Sequence, residues 1–373
     1  RLQQADLAQT LTRLATFGAA GFYSGRVAER LVDAVRAGGG VWTLEDLKQY
    51  DIVERPPIIL AYRDWQIVTA PPPSSGGLVL GLMFNILSGY DWPALGAADR
   101  VHLSVEAMRR AYLDRARFMG DADFVEVPSA ALLGRDYAAQ WRASIDRAQS
   151  TPSSAFDVDL SVQGSGEDTT HFSVIDGAGN RVAATLSLNY LLGNAFVAAG
   201  TGVLLNNEMD DFVAQPGVPN GYGLVGGKAN AIEPGKRMLS SMTPTFVEGA
   251  ERTAILGTPG GSRIITMVYH AIQGVIAGDS AESIVERGRY HHQYLPDVIQ
   301  YEPDALAAPV RQSLARRGHS LKEMNRTYGN FQAIVWNHDG ALEAAADPRG
   351  IGSAVVAEPS PSPAPDDGVR WQR

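Results

Sequence analysis

The clearest pattern in the chain is an alternation of apolar and polar side chains near its middle. Residues 169–175 (Thr-Thr-His-Phe-Ser-Val-Ile) set large apolar side chains between small polar ones, which is typical of a half-buried strand. The next five residues, Asp-Gly-Ala-Gly-Asn, suit the positive φ values of a tight reversal. Residues 182–189 form the return strand. The pattern therefore predicts an antiparallel hairpin in which Ser187 and Asn189 come back close to Thr169.

Apolar side chains at helical spacing predict helices in both halves of the chain. The predicted helical segments lie within residues 5–50 and at residues 78–87, 100–118, 264–277, 284–287 and 305–317. Thr43 and Asp46 resemble a capping box, with Asp in place of Glu, and Ser24 is positioned to cap a helix over residues 26–37.

Short runs rich in β-branched and aromatic residues predict strands between these helices. They lie at residues 58–62, 65–69, 243–247, 253–257, 332–336 and 342–346, and residues 196–205 are also β-rich. Strands enclosed by helices in both halves predict a layered α/β architecture. Residues 150–168 are rich in Ser, Pro, Gly and acidic residues and predict an exposed loop. The Pro-Ser repeat at residues 359–365 predicts a disordered tail over residues 358–373.

Composition and charge exclude several classes of protein. The 373 residues include 32 basic and 41 acidic side chains, and the net charge of −9 argues against nucleic acid or an anionic membrane as a partner. No apolar run reaches the roughly 18 residues that span a bilayer. The chain has no cysteine, which excludes disulfides, thiol nucleophiles and cysteine metal sites.

Thr169 is a candidate nucleophile because a polar stretch, Gly166-Glu167-Asp168, leads into it and suits an exposed scissile bond. Cleavage between Asp168 and Thr169 would give Thr169 a free α-amine beside its own hydroxyl. That amine can act as the base that activates the hydroxyl. Two threonines in a strand carry little information alone, so the prediction depends on the motifs around them.

Four further motifs occur in a fixed order along the chain. They are residues 71–77 (Pro-Pro-Pro-Ser-Ser-Gly-Gly), 206–212 (Asn-Asn-Glu-Met-Asp-Asp-Phe), 239–244 (Leu-Ser-Ser-Met-Thr-Pro) and 257–263 (Gly-Thr-Pro-Gly-Gly-Ser-Arg). Together with Thr-Thr-His they resemble the gamma-glutamyltransferase (gamma-glutamyl transpeptidase) family of N-terminal-nucleophile hydrolases. The resemblance extends from about residue 5 to about residue 350.

This resemblance implies a four-layer αββα sandwich that contains both halves of a cleaved precursor. Residues 1–168 would be the end of a large-subunit-like segment and residues 169–373 a small-subunit-like segment, and the two would form one structural unit. The family also implies a periplasmic or secreted enzyme. One expected feature is missing: the family's early segment, with an arginine that clamps the substrate α-carboxylate, would precede Arg1.

The glycine motif suits the stabilisation of negative charge. Gly260 and Gly261 precede a predicted helix, and the unpaired N–H groups of a helix N-terminus present positive potential. The resemblance assigns the oxyanion contacts to these two glycines. It also implies that Ser187, where the family commonly has Thr, contacts the nucleophile hydroxyl. Residues 212–222 resemble the family's lid loop, and Tyr222 matches its tyrosine.

The resemblance assigns the remaining site residues to the two charged groups of a glutamyl substrate. Ser240 and Ser241 would bind the α-carboxylate, whereas Asn189, Glu208 and Asp211 would hold the α-ammonium by charge-assisted hydrogen bonds. The spacing of the two acids could also indicate glycosidase or metal-binding carboxylates. The sequence shows no second cluster of ligands with matching spacing, so no metal and no organic cofactor are expected.

The function that these residues indicate is γ-glutamyl transfer and hydrolysis through a Thr169 acyl-enzyme. The expected partners are γ-glutamyl compounds such as glutathione, with amino acids or dipeptides as acceptors. A cephalosporin-acylase-like amidohydrolase of the same superfamily is the nearest alternative, and a non-catalytic, immature fragment is another. His171 and the pair at residues 291–292 fit no catalytic triad and are expected to pack or form hydrogen bonds.

Overall fold

A computed structural model describes residues 2–156 and 169–357, and every structural statement below refers to these two ranges. Most of the predicted 150–168 loop lies outside them, including Asp168, the residue before the predicted cleavage site. The predicted tail at residues 358–373 lies outside them as well.

The described residues form eleven α-helices and thirteen strands. The helices are α1 Ala5–Phe17, α2 Ala20–Tyr23, α3 Gly25–Ala37, α4 Leu44–Lys48, α5 Gly76–Leu87, α6 Ala97–Phe118, α7 Ser129–Leu132, α8 Arg135–Ala143, α9 Ile264–Ala277, α10 Ala281–Glu286 and α11 Ala308–Arg316. The strands are β1 Ile58–Tyr62, β2 Trp65–Thr69, β3 Thr169–Ile175, β4 Arg181–Ser187, β5 Val197–Ala198, β6 Val203–Leu204, β7 Thr245–Glu248, β8 Arg252–Gly257, β9 Tyr290–His291, β10 Ile299–Tyr301, β11 Leu321–Glu323, β12 Gln332–Asn337 and β13 Leu342–Ala346. None of the described helices combines the length and the apolar character needed to cross a membrane.

A six-stranded antiparallel sheet organises the molecule. Its strand order is β1-β2-β7-β8-β12-β13, so strands from before and after Thr169 hydrogen-bond in one sheet. On one face, Ala254 and Leu256 of β8 and Val247 of β7 pack into the main hydrophobic core with α5 and α9. Helix α5 is buried almost all round, because its twelve residues are apolar except for one asparagine.

The β3-β4 hairpin covers the opposite face of the sheet, which makes a sandwich of two β layers. The ring of His171 lies against Gly257 of β8, where a Cβ atom would come within 2.1 Å of the imidazole. At the other end of the hairpin, Arg181 pairs with Glu248 at 2.7 Å. Helices, six-stranded sheet and hairpin therefore stack in that order.

The two faces of the hairpin have opposite chemistry. The face toward the sheet carries Thr169, His171 and Thr185, whereas Phe172 and Leu186 belong to the outer face and are about half exposed. His171 donates or accepts hydrogen bonds at both ring nitrogens, to Thr185 at 2.8 Å and to Ser173 at 3.0 Å. The polar side chains of the inner face thus have hydrogen-bond partners within the hairpin.

Most of the predicted elements are confirmed, and the differences follow glycine and loop geometry. Residues 58–62, 65–69, 169–175, 264–277 and 342–346 have the predicted bounds. Residues 196–205 are not one strand, because Gly200 and Gly202 adopt positive φ and divide them into the short strands β5 and β6. The return strand ends at Ser187, two residues earlier than predicted.

The two predicted helix caps differ in outcome. Thr43 and Asp46 form the predicted capping box at the start of α4. Ser24 occupies the N-cap position of α3, but its hydroxyl donates to the carbonyl of Ala20 in the preceding turn and does not accept from the helix. The short three-stranded sheet β9-β10-β11 and helix α8 have no counterpart in the predictions.

Candidate active site

The open end of the hairpin brings two hydroxyl groups together. Thr169 and Ser187 are directly paired across β3 and β4, and their Oγ atoms are 3.1 Å apart. The backbone N–H of Asn189 donates to the Ser187 hydroxyl at 2.8 Å. The register predicted from the alternation pattern is confirmed, and Thr169 begins a strand whose end faces a cleft.

Asn189 leaves the strand in a left-handed conformation with φ of 71°, which asparagine tolerates better than most side chains. Its side-chain amide donates to the carbonyl of Asn207 at 3.1 Å, and its own carbonyl accepts from the Tyr222 hydroxyl at 2.7 Å. Asn207 in turn accepts from the N–H of Tyr190 at 2.9 Å. These bonds connect the hairpin end to the start of the acidic turn and to Tyr222.

The acidic turn Glu208–Asp211 is a single turn of 3-10 helix that places two carboxyl groups at the cleft. Burial raises the pKa of Asp211 to about 7, and the neighbouring Glu208 charge adds to this effect while Arg115 opposes it. Burial also raises the pKa of Glu208, against the opposing hydrogen bonds from Ser187 and Asn189. Two partly buried acids that line the same cleft favour a cationic ligand there.

Ser240 and Ser241 are held by the proline-serine motif of residues 71–77. The N–H of Ser240 donates to the carbonyl of Pro73, and the N–H of Ser75 donates to the carbonyl of Ser240, each at 2.8 Å. The Ser74 hydroxyl donates to the carbonyl of Met242 at 2.6 Å. The two polar motifs, which are far apart in the sequence, are therefore hydrogen-bonded to each other.

The glycine pair lies where β8 turns into α9. Gly260 and Gly261 have φ values of 142° and 53°, which L-residues with side chains rarely adopt. A Cβ on Gly261 would lie 2.3 Å from the Tyr222 ring, so Tyr222 packs directly on this backbone. A 3-10 turn, Gly261–Arg263, connects the pair to α9.

Tyr222 ends the segment that resembles a lid and is buried. Besides the bond to Asn189, its carbonyl accepts from the Gln293 side chain at 3.1 Å, and its ring meets Tyr190 edge to face. Just before it, Gly221 packs against the Tyr190 hydroxyl with no space for a Cβ atom. The end of this segment is therefore packed in place beside the cleft.

These residues line one cleft. Nine of the ten predicted site residues are among its walls: Thr169, Ser187, Asn189, Glu208, Asp211, Tyr222, Ser240, Ser241 and Gly261. Gly260 is next to the wall in sequence but does not line it. Arg115 does line it, but nothing in the sequence singles it out, because residues 101–116 of its helix are all buried and no face of the helix stands apart.

The histidines lie away from this cleft. His171 is buried, and burial lowers its pKa to about 4, so it is a neutral hydrogen-bonding group beneath the hairpin. Residues 291–292 are also buried among hydrogen-bonding partners, as expected.

One buried cluster has the spacing of a metal site and escaped the sequence analysis. His102, Glu106 and His319 offer ligand atoms within 4.8 Å of one another. In this structure the ring nitrogens of His102 contact His319 at 2.7 Å and the carbonyl of Asp146 at 2.8 Å, while Glu106 pairs with Arg110. These groups form an internal hydrogen-bond network that is separate from the cleft.

The stacked layers, with a hydroxyl at the start of an inner strand, define the class: this is the sandwich of N-terminal-nucleophile hydrolases. A cephalosporin acylase from Bacillus halodurans superimposes over 96% of this chain and 63% of its own, with a TM-score of 0.82 and 25% identity. The model of the gamma-glutamyltranspeptidase family matches residues 1–357. The chain belongs to the gamma-glutamyltranspeptidase family.

Curated relatives agree with this assignment. A glutathione hydrolase proenzyme from Pseudomonas sp. strain A14 is 45% identical over 325 residues, which cover 86% of this chain and 56% of the relative. The glutathione hydrolase proenzyme of Escherichia coli K12 is 42% identical, with coverage of 94% and 61%. The chain thus spans about three fifths of the length of these relatives.

Proposed function

We propose that this protein hydrolyses and transfers γ-glutamyl groups of glutathione and related amides through an acyl-enzyme on Thr169. The observation that carries the proposal is the 3.1 Å pair of Thr169 and Ser187 hydroxyls in a cleft that also contains two acids and two serines. The names of the relatives as glutathione hydrolase proenzymes support the choice of substrate. Export to the periplasm or outside the cell is part of the same proposal.

The reaction begins with autocatalytic cleavage of the Asp168–Thr169 bond, which frees the Thr169 amine. This amine takes the proton of the Thr169 hydroxyl while the Thr169 Oγ attacks the γ-carbonyl carbon of the substrate. Negative charge on the carbonyl oxygen is stabilised by the backbone N–H groups of Gly260 and Gly261. The C–N bond then breaks, the leaving amine takes the proton, and a γ-glutamyl ester remains on Thr169.

The ester is resolved by an acceptor that attacks the same carbonyl carbon. Water gives glutamate, whereas the amine of an amino acid or dipeptide gives a new γ-glutamyl amide, and the Thr169 oxygen regains its proton in both cases. Asp211, Glu208 and Asn189 hold the substrate ammonium, and Ser240 and Ser241 bind its carboxylate. No step requires a metal or an organic cofactor.

Intact mass and turnover of γ-glutamyl-p-nitroanilide test this proposal. For the unaltered protein we expect a fragment that begins at Thr169 and release of p-nitroaniline. In Thr169→Ala the nucleophile is removed, so we expect no cleavage and a fall in activity of at least about a thousandfold. Thr170→Ala is the matched control, since Thr170 is on the outer face of the same strand and should leave both unchanged. A persistent single mass without turnover would favour an immature, non-catalytic protein.

A second candidate is an acylase that accepts substrates without an α-amino group. It is supported by the superposition on a cephalosporin acylase and by 37% identity to an acylase ACY 1 proenzyme from Pseudomonas sp. strain V22. Glutaryl-p-nitroanilide, which lacks the ammonium, separates the two. Faster cleavage of the glutaryl than of the γ-glutamyl compound would favour the acylase, whereas Asp211 and Glu208 predict the reverse.

A further inference from the structure

Arg115 is a buried cation at the floor of the cleft. It comes from the last turn of α6, is 5% exposed, and is one of the lining residues. Its Nε donates to the Ser75 hydroxyl at 2.9 Å and a terminal nitrogen donates to the Ser241 hydroxyl at 3.2 Å. Both of its protein partners are therefore neutral.

The lack of a counter-ion distinguishes Arg115 from its neighbours on the same helix. Arg110 pairs with Glu106, and Arg109 pairs with Asp297. Across residues 2–156 and 169–357, no carboxylate lies within 4.0 Å of the Arg115 guanidinium. Asp211 acts on it only at longer range. A buried charge without a partner is costly in free energy, so its retention beside a cleft indicates that an anion enters the cleft.

The two serines next to Arg115 have hydroxyl protons available for that anion. Ser241 accepts from Arg115, and Ser240 accepts from the N–H of Met242 at 3.0 Å. Neither hydroxyl donates to any group among the described residues. An oxygen that already accepts a hydrogen bond on the protein side directs its own O–H elsewhere, here toward the cleft. Both O–H groups can thus donate to a carboxylate.

The cleft is consequently polarised. Arg115 with Ser240 and Ser241 forms a side that receives an anion, and Glu208 with Asp211 forms a side that receives a cation. A group that carries a carboxylate and an ammonium on one carbon satisfies both sides at once. Ser75 completes the arrangement, since it donates to the carbonyl of Ser240 at 2.8 Å and accepts from Arg115.

We propose that Arg115 is a specificity-determining positioning residue that, through Ser75 and Ser241, selects substrates with an α-carboxylate. The inference rests on the proposed function for the identity of the substrate. Arg115 acts by fixing the serine hydroxyls as donors and by supplying the positive charge behind them. It takes no part in the chemical step.

The test compares γ-glutamyl-p-nitroanilide with 4-aminobutanoyl-p-nitroanilide, which lacks only the α-carboxylate. In Arg115→Met we expect KM for the γ-glutamyl compound to rise at least about tenfold with little change in kcat, and kcat/KM for the 4-aminobutanoyl compound to stay within about twofold. Arg115→Lys should recover part of the preference, because it restores charge without the planar fork. Arg117→Met, on the same helix, is the control and should match the unaltered protein.

A binding measurement keeps the inference testable if the Arg115 variants fail to mature. In a Thr169→Ala background, calorimetry with L-glutamate and with 4-aminobutanoate requires neither cleavage nor turnover. We expect Arg115→Met to weaken glutamate binding at least about tenfold and to leave 4-aminobutanoate unchanged. Equal losses for both ligands, or no glutamate binding before the Arg115 change, would overturn the inference.

The two proposals fail in different ways. If the unaltered protein releases no p-nitroaniline but the Thr169→Ala protein binds glutamate in an Arg115-dependent manner, the proposed reaction is wrong and the role of Arg115 stands. If turnover is rapid and the preference for the α-carboxylate survives Arg115→Met, the role of Arg115 is wrong and the reaction stands.

Discussion

At the scale of single residues, Asp211 is a cleft group whose charge changes near neutral pH. Burial raises its pKa to about 7, with Glu208 and Asp210 adding to the shift and Arg115 opposing it. Below that pH the carboxyl group is mostly neutral and holds an ammonium poorly. Above it the group is ionised, so a substrate ammonium and the Asp211 charge stabilise each other.

This gives a prediction for the pH dependence of ligand binding. The inhibition constant of L-glutamate should fall by up to about tenfold from pH 6 to pH 8, because the ionised fraction of Asp211 rises from about a tenth to about nine tenths. In Asp211→Asn the inhibition constant should be higher at every pH, and it should change little with pH. The inhibition constant is preferred to kcat, which also reflects the Thr169 amine. A flat profile in the unaltered protein would contradict the pKa of Asp211.

The sequence identified most of the residues that line the cleft, but not Arg115, which also lines it, and not the residues behind it. The closeness of Ser187 to Thr169 follows from strand alternation and a return strand of matching length, which are local signals. The site roles of Thr169, Ser187 and Gly261 came from the resemblance to a family. Arg115 could not be found in this way, because its importance comes from the serine hydroxyls of two distant segments. The same applies to Ser75, whose role depends on the carbonyl of Ser240.

At the scale of elements, several strands and helices with a clear period were predicted with accurate bounds, whereas the shortest strands and the nine-residue helix α8 were missed. Strands β9, β10 and β11 contain two or three residues each, too few for an alternation to appear. Their pairing depends on tertiary contacts with α6 and α11, which cover them. The glycines at residues 200 and 202 explain why β5 and β6 were predicted as one strand, since only their positive φ reveals a turn.

The lid gives a prediction at this scale. Tyr222→Phe removes the buried 2.7 Å hydrogen bond to the Asn189 carbonyl and leaves that carbonyl without its donor. The lost hydrogen bond should destabilise the closed position of this segment by about 1–3 kcal/mol. KM for γ-glutamyl-p-nitroanilide should then rise about five- to hundredfold. Tyr50→Phe, at an exposed tyrosine near α4, is the control. Unchanged KM and unchanged proteolysis of residues 212–222 would show that the hydroxyl does not hold the lid.

At the scale of the whole molecule, the central sheet joins the two sides of the proposed cleavage site. Strand β2 hydrogen-bonds to β7 over four residue pairs, and residues from both sides fill the main hydrophobic core. Leu60 and Ile67 from before the site pack in the same core as Val247 and Leu256 from after it. Separation of the two pieces would expose this core to water.

Cleavage should therefore leave one particle. We expect the matured protein to elute from gel filtration at the volume of the uncleaved Thr169→Ala protein, and to give two bands only after denaturation. Thermal unfolding of the cleaved protein should be a single transition recorded equally by fluorescence and circular dichroism. Two separate peaks in native buffer would show that the two pieces are independent domains.

The register of the β3-β4 hairpin also decides where foreign sequence can be inserted. A one-residue insertion inside either strand would move every following side chain to the other face and carry Ser187 away from Thr169. An insertion in the connecting turn leaves the pairing of the two strands unchanged. The turn also has room for added residues, because Gly177 and Gly179 have open space around them. It also lies at the far end of a seven-residue ladder, about 20 Å from the hydroxyl pair. A peptide tag or fluorophore grafted there would report on the hairpin while the spacing of the two hydroxyls stays intact.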